Sequence, residues 1–241
     1  MGPWIIRREQ ATGLSEVKVA ALVAARGGSE RVVGKNTKTF ADSTLLDIKL
    51  AQLRRLRSID EVVVSSDDDK ILNVGRGYGC TVRRRPDHLA TSTAPMSNVY
   101  RYMAEEIEAD IIVYANCTSP LVRDSTVEAL IESFISLNSD HDSINTASVV
   151  REFLVLDGTP INYDPYNQPR SQDLPDIAAL NFAVNVIRRE TMIARSNVLG
   201  NAPCIHTLDQ VEGMDIDTRV DFDVAEFLYQ SLGGENYLRQ P

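Results

Sequence analysis

The sequence has few cysteines, and none is spaced for a metal site or a disulfide framework. Its three cysteines, Cys80, Cys117 and Cys204, are scattered over 241 residues and form no Cys-x-x-Cys pair. Structural zinc sites and disulfide-rich secreted folds both depend on closely spaced or paired cysteines. We therefore expect a protein of a reducing cytoplasm, without zinc or disulfides.

Long apolar runs are also missing. No run reaches the roughly 18 residues that a membrane-spanning helix needs, so we expect no transmembrane segment. The stretch from Met1 to Glu16 lacks the apolar core of a signal peptide. We expect residues 1–16 to be a flexible leader and residues 17–241 to form one domain.

Positive charge is in short supply. The chain has 25 Lys and Arg against 34 Asp and Glu, a net charge of −9, which disfavours general binding to nucleic acid or anionic membranes. Any anionic substrate must therefore bind at a local basic cluster. The remaining composition, 43% hydrophobic and 24% charged, is that of an ordinary soluble domain.

Predicted strands and helices alternate along most of the chain. Nearly continuous apolar runs and short β-rich segments predict strands at Val17–Ala24, Glu61–Ser65, Cys80–Arg83, Asp110–Ala115, Ser143–Val149 and Asn181–Val186. Helical periodicity predicts helices at Ser43–Leu56, from Asp67–Asp69 onward, at Ser97–Glu108, at Arg123–Leu137, and near the C-terminus along a stripe of Val220, Val224, Phe227 and Leu228. Asp42 or Ser43 is the expected cap of the first helix. The alternation predicts a three-layer α/β/α, Rossmann-like fold with a mostly parallel sheet.

The alternation stops between residues 153 and 179. This stretch contains four prolines, at 160, 165, 169 and 175, together with aromatic side chains among polar residues. A structureless loop of that length is uncommon inside a compact domain. We interpret it as an extended excursion that packs on another subunit.

A basic, glycine-containing loop follows the first predicted strand. Gly27 and Gly28 allow backbone N–H groups to approach phosphate oxygens, and Arg26, Arg31 and Lys35 can neutralise several negative charges. The spacing matches neither the Walker P-loop nor the dinucleotide-binding fingerprint. The loop is therefore a candidate polyphosphate site, unless it is only a strand-to-helix turn.

Three more polar clusters follow predicted strands, and parallel strands bring such clusters to one edge of the sheet. They are Ser65–Asp69, Arg83–Pro86 and Asn116–Leu121. Each has a structural interpretation as well: Asp67–Asp69 as a helix cap, Arg83–Arg85 as a solvated charge run, and Thr118-Ser119-Pro120 as a cap with proline at the first helical position.

Two carboxylates near the C-terminus form a candidate metal site. Asp215 and Asp217 lie two positions apart, so in a strand they share one face. Two carboxylates on one face can hold Mg²⁺ that also bridges triphosphate oxygens. The alternative is a polar turn at a strand end that starts the next helix.

The loop after the first strand resembles a known family. Residues 25–36 read ARGGSERVVGKN, similar to the Arg-x-Gly-Ser-x-Arg-x-x-x-Lys-Asn loop of the acylneuraminate cytidylyltransferases, or CMP-sialic acid synthetases. Further segments resemble the family's other motifs in the same order: VVVSSDDDKI, RRRPDHLATSTAPMSNV, NCTSPL, PRSQDLPDIAALNFAVNV and MDIDTRVDFDVAE. The resemblance extends from about residue 17 to about residue 230.

The resemblance implies a fold of the nucleotide-diphospho-sugar transferase type and an enzyme that couples CTP to a 2-keto-sugar acid. It implies that Mg²⁺ is bound by Asp215 and Asp217, and that the 153–179 excursion makes a homodimer. It further implies a triphosphate site at Arg26, Gly27, Gly28, Ser29 and Lys35, nucleotide contacts from Asn36 and Arg85, and an acid site at Asn116, Arg170, Gln172 and Asn185.

The acid-binding motifs depart from the family's pattern. Asn116 stands where the family has Gln, Phe182 where it has Gly, Asn185 where it has Tyr, and Ser92 where it has Asp. We therefore expect CTP use to be retained with an acceptor other than ordinary N-acetylneuraminate. A legionaminic or pseudaminic acid, a 3-deoxy-octulosonate or a small phosphonate-type acid all remain candidates. A non-catalytic nucleotide-binding homologue is a further alternative, whereas the metal motif of a glycosyltransferase is not found.

Overall fold

The computed structural model of the protein describes residues 17–28, 32–137 and 140–241. The predicted leader, residues 1–16, lies outside the described residues, as do Ser29 and Arg31 of the predicted phosphate loop.

A seven-stranded sheet forms the middle layer of the fold. The described residues form strands β1 (Val19–Ala24), β2 (Thr39–Phe40), β3 (Ser43–Thr44), β4 (Glu61–Ser66), β5 (Thr81–Arg84), β6 (Ile111–Ala115), β7 (Ser143–Val150), β8 (Val155–Leu156), β9 (Thr159–Pro160), β10 (Ile177–Arg188) and β11 (Pro203–Leu208). The sheet order is β11-β7-β10-β6-β1-β4-β5. Only β10 runs antiparallel to its neighbours among the described strands of this sheet. The mostly parallel sheet confirms the predicted fold class.

Helices cover both faces of the sheet. They are α1 (Leu45–Arg55), α2 (Asp69–Gly77), α3 (Met96–Glu105), α4 (Asp124–Ser136), α5 (Arg189–Arg195), α6 (Arg219–Ser231) and α7 (Glu235–Leu238). Buried side chains of α1, α2, α4, α6 and α7 join one apolar cluster with one face of the sheet. Those of α3 and α5 join a second cluster on the other face. This is the expected three-layer arrangement.

β1 is an inner strand of the sheet, between β6 and β4, and all its side chains are apolar and can be buried on both faces. Along the chain, β4 and β5 are added on one side of β1 and β6 on the other. A crevice opens beyond the carboxyl ends of the strands at such a reversal of strand order. The loops that follow β1, β4, β5 and β6 therefore meet at one edge.

Several predicted boundaries were wrong by a few residues. Helix α1 is capped by Thr44, whose hydroxyl accepts a hydrogen bond from the N–H of Asp47 at 3.1 Å, because residues 43–44 are used in a short strand. Helix α3 ends at Glu105 rather than residue 108, since Ile107 turns into the second apolar cluster. Strand β10 begins at Ile177, four positions earlier than predicted, because this segment pairs with β7.

The predicted apolar stripe of the C-terminal helix was also wrong. Phe227 and Val220 of α6 are 67% and 69% exposed, whereas Phe222 is 1% exposed. The buried face of α6 is formed by Phe222, Ala225 and Tyr229. Phe222 packs edge-on against Phe40, with ring centroids 5.3 Å apart. The opposite, largely apolar stripe faces away from the core.

Residues 153–176 form an exposed arm. It contains the β8–β9 hairpin and a short 3-10 helix at Ser171–Asp173. Phe153 and Tyr163 pack edge to face, with ring centroids 4.9 Å apart. Exposed apolar side chains remain along the arm, and Tyr166 is 99% exposed.

We expect Phe222→Ala to destabilise the protein by about 3–5 kcal/mol, because it opens a cavity under α6 and removes the ring contact with Phe40. The matched control is Phe227→Ala on the same helix, which should change the free energy of unfolding by less than about 0.5 kcal/mol. Urea unfolding of both variants measures the difference. Equal losses would mean that the buried face of α6 is not the one described.

Candidate active site

The loop after β1 approaches the loop after β4 closely. The N–H of Gly27 donates to Asp67 Oδ1 at 3.1 Å. A Cβ atom at position 27 would lie 2.6 Å from the Asp68 carboxylate, so a side chain there would displace that of Asp68. Arg26 is half-buried beside this contact, and Gly28 is exposed with open space around it. The structure thus brings the predicted phosphate loop together with the acidic cluster after β4.

Ile216 brings the predicted metal segment to the same edge. Its side chain is fully buried, and its N–H donates to the carbonyl of Thr118 at 2.9 Å. The ammonium of Lys35 donates in turn to the Ile216 carbonyl. Asp215 and Asp217 flank this residue in a loop before α6, so the strand considered for them is not formed. They converge on the site through Ile216 rather than through a sheet.

The electrostatics at Asp215 are those of a partly desolvated carboxylate. Burial, and next the charge of Asp217, raise its pKa, while a hydrogen bond with Thr118 and the charge of Lys35 act in the opposite direction. Asp215 Oδ1 is buried and has no hydrogen-bond partner. Asp217 is held by its own N–H, which donates to Asp221 Oδ2 at 3.1 Å. A buried carboxylate oxygen without a partner is suited to a cation or a donor.

Buried polar atoms without partners are concentrated at this edge. Among the described residues they are Asn36 Oδ1, Ser65 Oγ, Arg85 Nε, Ser119 Oγ, Asn145 Oδ1, Asn185 Oδ1 and Asp215 Oδ1. Native structures leave few buried polar groups unpaired, and each such group calls for an explanation. A bound polar ligand at the edge would supply partners that the protein itself does not.

Arg85 lies under the crevice rather than on the surface. It is 5% exposed, and its Nη2 donates to the Ser65 carbonyl at 2.9 Å. Burial lowers the pKa of its guanidinium, but arginine remains charged. The cluster Arg83–Arg85 is therefore split: Arg84 pairs with Asp69 at the surface, and Arg85 presents an unpaired Nε inside.

The predicted acid-binding amides meet at an irregularity in β10. Relative to β7, β10 carries extra residues between Leu180 and Asn185. Phe182 in this segment has a positive φ of 54°. Its carbonyl accepts from Asn116 Nδ2 at 2.9 Å and from Asn185 Nδ2 at 3.3 Å. The structure therefore brings these two predicted residues together through the turned Phe182 carbonyl.

Arg170 and Gln172 are placed differently from the other predicted site residues. Both lie on the exposed arm, and the guanidinium of Arg170 pairs with Asp173 of the same arm at 2.7 Å. Arg170 is 72% exposed in its side chain. Ser29, which was also predicted to bind the triphosphate, lies outside the described residues.

A buried lysine was missed by the sequence analysis. Lys49 of α1 is 1% exposed, and its ammonium donates to Gln52 Oε1 at 2.8 Å and to the Ser119 carbonyl at 3.1 Å. Gln52 in turn donates to the Val122 carbonyl at 2.7 Å. These bonds fix the loop after β6 on α1. Lys49 lies three positions after Leu46 on the apolar face of α1, which was the signal for its burial.

Asn145 was also missed, and it is fully buried in β7, a strand that also carries Ser143, Thr146 and Ser148. Cys117, within the loop after β6, is no candidate nucleophile, since burial raises the pKa of its thiol to about 12.

No group of three or more His, Cys, Asp or Glu side chains suited to a metal occurs in the described ranges. In the same ranges, no helix has both the length and the apolar character to cross a membrane.

Comparison with known proteins assigns the family. The profile of a family described as cytidylyltransferase matches residues 20–164, more than half of the chain. The chain belongs to the cytidylyltransferase family. It is therefore a nucleotidyltransferase, and the resemblance of its motifs to this family is confirmed.

Relatives within the family differ in length. Post-translational flagellin modification protein B of Campylobacter coli is 24% identical over 88% of this chain and 94% of the relative. CMP-N,N'-diacetyllegionaminic acid synthase of Legionella pneumophila is 27% identical over 89% of this chain and 97% of the relative. N-acylneuraminate cytidylyltransferase of Oncorhynchus mykiss is 27% identical over 86% of this chain but 49% of the relative, so the chain spans about half of its length.

Solved cytidylyltransferases share the fold. A CMP:2-keto-3-deoxy-manno-octonic acid synthetase complexed with CTP superposes with a TM-score of 0.67 and 14% identity, over 89% of this chain and 99% of that one. A cytidylyltransferase from Leptospira borgpetersenii gives a TM-score of 0.63 and 18% identity, over 90% and 88%. At this identity the likeness confirms the fold.

The buried lysine predicts a pH dependence of stability. Burial lowers the pKa of Lys49 from 10.5 to about 8, so between these values the unfolded chain holds a proton that the folded protein has released. The free energy of unfolding therefore rises with pH across this interval. Relative to Lys49→Met, which cannot release this proton, the wild type should gain about 1–3 kcal/mol between pH 7.5 and pH 10.

Urea unfolding of the wild type and Lys49→Met over that pH range measures the gain. The control is Lys70→Met, which removes an exposed lysine and should differ from the wild type by a constant amount. A constant difference for Lys49→Met as well would show that the Lys49 ammonium is not desolvated in the folded state.

Proposed function

We propose that this protein couples CTP to the hydroxyl group of a sialic-acid-like 2-keto-sugar acid, giving the CMP conjugate and pyrophosphate. The observation that carries the proposal is the set of unpaired buried polar atoms from Asn36, Arg85 and Asp215 at the strand-order switch point of a cytidylyltransferase fold. Such a switch point is where open α/β sheets bind nucleotides.

The proposed reaction needs no protein nucleophile. The acceptor oxygen forms a bond to the α-phosphorus, and the bond from that phosphorus to the oxygen bridging to the β-phosphate breaks. Pyrophosphate leaves with the bridging oxygen, and the hydroxyl proton passes to water. Catalysis of such a transfer is mainly positioning and charge neutralisation.

The nucleotide side of the site is assigned to charged and donor groups. Arg26, Lys35 and the backbone of Gly27 and Gly28 bind the triphosphate, with Ser29 as a further predicted contact. Two unpaired atoms complement each other in character: Asn36 Oδ1 accepts a hydrogen bond from the nucleotide, and Arg85 Nε donates one.

Asp215 and Asp217 would hold Mg²⁺. The fit rests on the buried, unpaired Oδ1 of Asp215 and on the neighbouring charge of Asp217, which make an oxygen-rich, negatively charged position. Mg²⁺ in nucleotide sites is typically bound by one or two carboxylates together with waters and phosphate oxygens, so two carboxylates suffice. When bound, the ion would neutralise charge on the α-phosphate oxygens.

The acceptor side is assigned to amides and to the arm. Asn116 and Asn185 bind the acid substrate near the Phe182 turn. Arg170 and Gln172 bind it from the arm of a second subunit, since a guanidinium suits a carboxylate. Relatives that this chain covers over 97% of their length are named for pseudaminic and N,N'-diacetyllegionaminic acids, which supports acceptors of this kind.

We further propose that the protein works as a homodimer in the cytoplasm. The arm offers exposed apolar side chains, including Leu156, Ile161 and Tyr166, that a second subunit would cover. All three cysteines are free thiols, as a reducing compartment allows.

The function is tested by magnesium-dependent pyrophosphate release from CTP with a panel of acids: sialic, legionaminic, pseudaminic, 3-deoxy-octulosonic and a small phosphonate. We expect turnover with a sugar acid and a loss of about 100-fold or more in kcat/KM for Lys35→Glu, because a cation facing the phosphates is reversed. The control is Lys38→Glu in the same loop. The Lys38 ammonium lies over the Phe222 ring and is not assigned to the phosphates.

Near-normal turnover by Lys35→Glu would refute the role of Lys35. CTP binding without turnover on any acid would favour the non-catalytic alternative. Turnover on the phosphonate alone would show that the acceptor is a phosphonate-type acid and not a sugar acid.

The dimer is tested by sedimentation velocity at micromolar concentrations. The wild type should sediment as a dimer, and Ile161→Ser combined with Tyr166→Ser should shift it toward monomer, because exposed apolar surface on the arm is lost. Val220→Ser on α6 is the control for removing an exposed apolar side chain elsewhere. A monomeric wild type, or a dimer that the arm substitutions leave intact, would contradict the assignment.

A further inference from the structure

Two buried amides lie side by side next to the acceptor region. Asn145 of β7 and Asn185 of β10 are partners in strand register, and both are 0% exposed. Tyr114, the penultimate residue of β6, is the register partner of Asn185 on the other side. Partners in register project from the same face of a sheet, with Cβ atoms about 4.5–5.5 Å apart. The two amides therefore lie next to each other on one face of the sheet, near the end of β6.

The orientation of both amides is fixed by their nitrogen atoms. Asn145 Nδ2 donates to Ser143 Oγ at 2.8 Å and to the Leu199 carbonyl at 3.4 Å. Asn185 Nδ2 donates to the Phe182 carbonyl at 3.3 Å. Backbone carbonyls only accept hydrogen bonds, so rotating either amide would set oxygen against oxygen. Exchanging the amide oxygen and nitrogen of either asparagine therefore does not give both of its atoms hydrogen-bond partners.

The oxygen atoms of both amides are buried and lack hydrogen-bond partners within the described part of the chain. An unpaired buried acceptor lowers the stability of the fold by ~1–3 kcal/mol, so two adjacent ones are unusual unless a ligand donates hydrogen bonds to them. Both are neutral acceptors. They suit a hydroxyl or an amide N–H and have nothing to offer a carboxylate or phosphate oxygen.

The backbone around the pair is held in a costly conformation. Phe182 adopts a φ of 54°, in the left-handed region where a side chain other than glycine costs ~1–2 kcal/mol. That conformation accompanies a carbonyl that accepts from both Asn116 and Asn185. Strain of this kind is typical of binding sites whose geometry has to be maintained.

We propose that Asn145 and Asn185 form a neutral subsite that accepts hydrogen bonds from a hydroxyl or acylamino N–H of the acid substrate. The inference rests on the proposed function and narrows it: the acceptor is a polyhydroxylated or acylamino sugar acid. A small phosphonate without such a donor leaves both oxygens unpaired and is discriminated against.

The test uses two readouts, so that the subsite and the reaction are judged separately. Isothermal calorimetry, in the presence of CDP and Mg²⁺, measures binding of 3-deoxy-octulosonic, N-acetylneuraminic, legionaminic and pseudaminic acids and of a small phosphonate. The acid that binds best is then compared with its single-deoxy and des-acylamino analogues, by calorimetry and by pyrophosphate release.

We expect the wild type to bind one analogue about 10- to 100-fold more weakly than the parent acid, which corresponds to one lost hydrogen bond to a buried acceptor. Asn145→Leu should bind parent and analogue equally while the KM for CTP stays unchanged. If Asn145→Leu does not fold, Asn145→Ser takes its place. Asn236→Leu, an exposed asparagine of α7, is the matched control and should keep the wild-type discrimination.

Three outcomes would overturn the subsite. They are wild-type discrimination retained in Asn145→Leu, equal binding of the phosphonate and the best sugar acid, and no binding of any acid. The first would assign the amide pair to a structural role completed by buried water. Binding with the predicted discrimination but without pyrophosphate release would instead keep the subsite and reject the proposed reaction.

Discussion

The site depends on one buried residue, Ile216, which ties the C-terminal part of the chain to the central sheet. Its N–H is bonded to the loop after β6, and its carbonyl accepts from Lys35 in the loop after β1. Ile216, fixed at both backbone groups, holds the segment that carries Asp215 and Asp217, and the N–H of Asp217 is held in addition by Asp221. The loop after β6 is itself fixed to α1, because the buried Lys49 ammonium donates to the Ser119 carbonyl.

The inner strands β1, β4 and β6 could be predicted from the sequence because they contain continuous apolar runs, and such runs have few alternatives to a doubly covered parallel sheet. The edge strand β11, which mixes polar and apolar residues, was not predicted. The C-terminal helix could not be oriented in the same way. It carries two apolar stripes, one through Val220, Val224 and Phe227 and one through Phe222, Ala225 and Tyr229. Periodicity assigns a helix to both but does not say which stripe meets the core. The stripe through Phe222 is the buried one because Phe222 packs on Phe40, which is far away in sequence.

Part of the predicted site came from polar clusters that follow strands, where topology brings them to one edge, whereas Arg170, Gln172 and Asn185 came from the resemblance to the family's motifs. Lys49 and Asn145 belong to no such cluster, since Lys49 lies on the buried face of α1 and Asn145 lies within β7. The cost of burying an ammonium or an amide is offset only by partners that the fold supplies, such as the Ser119 carbonyl for Lys49. Sequence patterns do not contain those partners. The Phe182 turn was equally hidden, because a positive φ at phenylalanine contradicts its local preference.

The two sides of the proposed site differ in charge, in keeping with the groups that each is proposed to recognise. Arg26, Lys35 and Arg85 surround the region assigned to the triphosphate, where a cation gains most from facing anionic oxygens. Asn116 and Asn185 donate to the Phe182 carbonyl, and Asn145 is the register partner of Asn185. Neutral amides of this kind can distinguish one hydroxyl or acylamino pattern from another. A site that binds substrate donors through buried acceptors rejects an analogue lacking them more strongly than an apolar pocket does, because the analogue leaves those acceptors unpaired. The departure from the family's motifs at Asn116, Phe182 and Asn185 therefore falls on the side of the site that we propose for the acceptor, while the charged side proposed for the triphosphate keeps the basic residues of the family's loop.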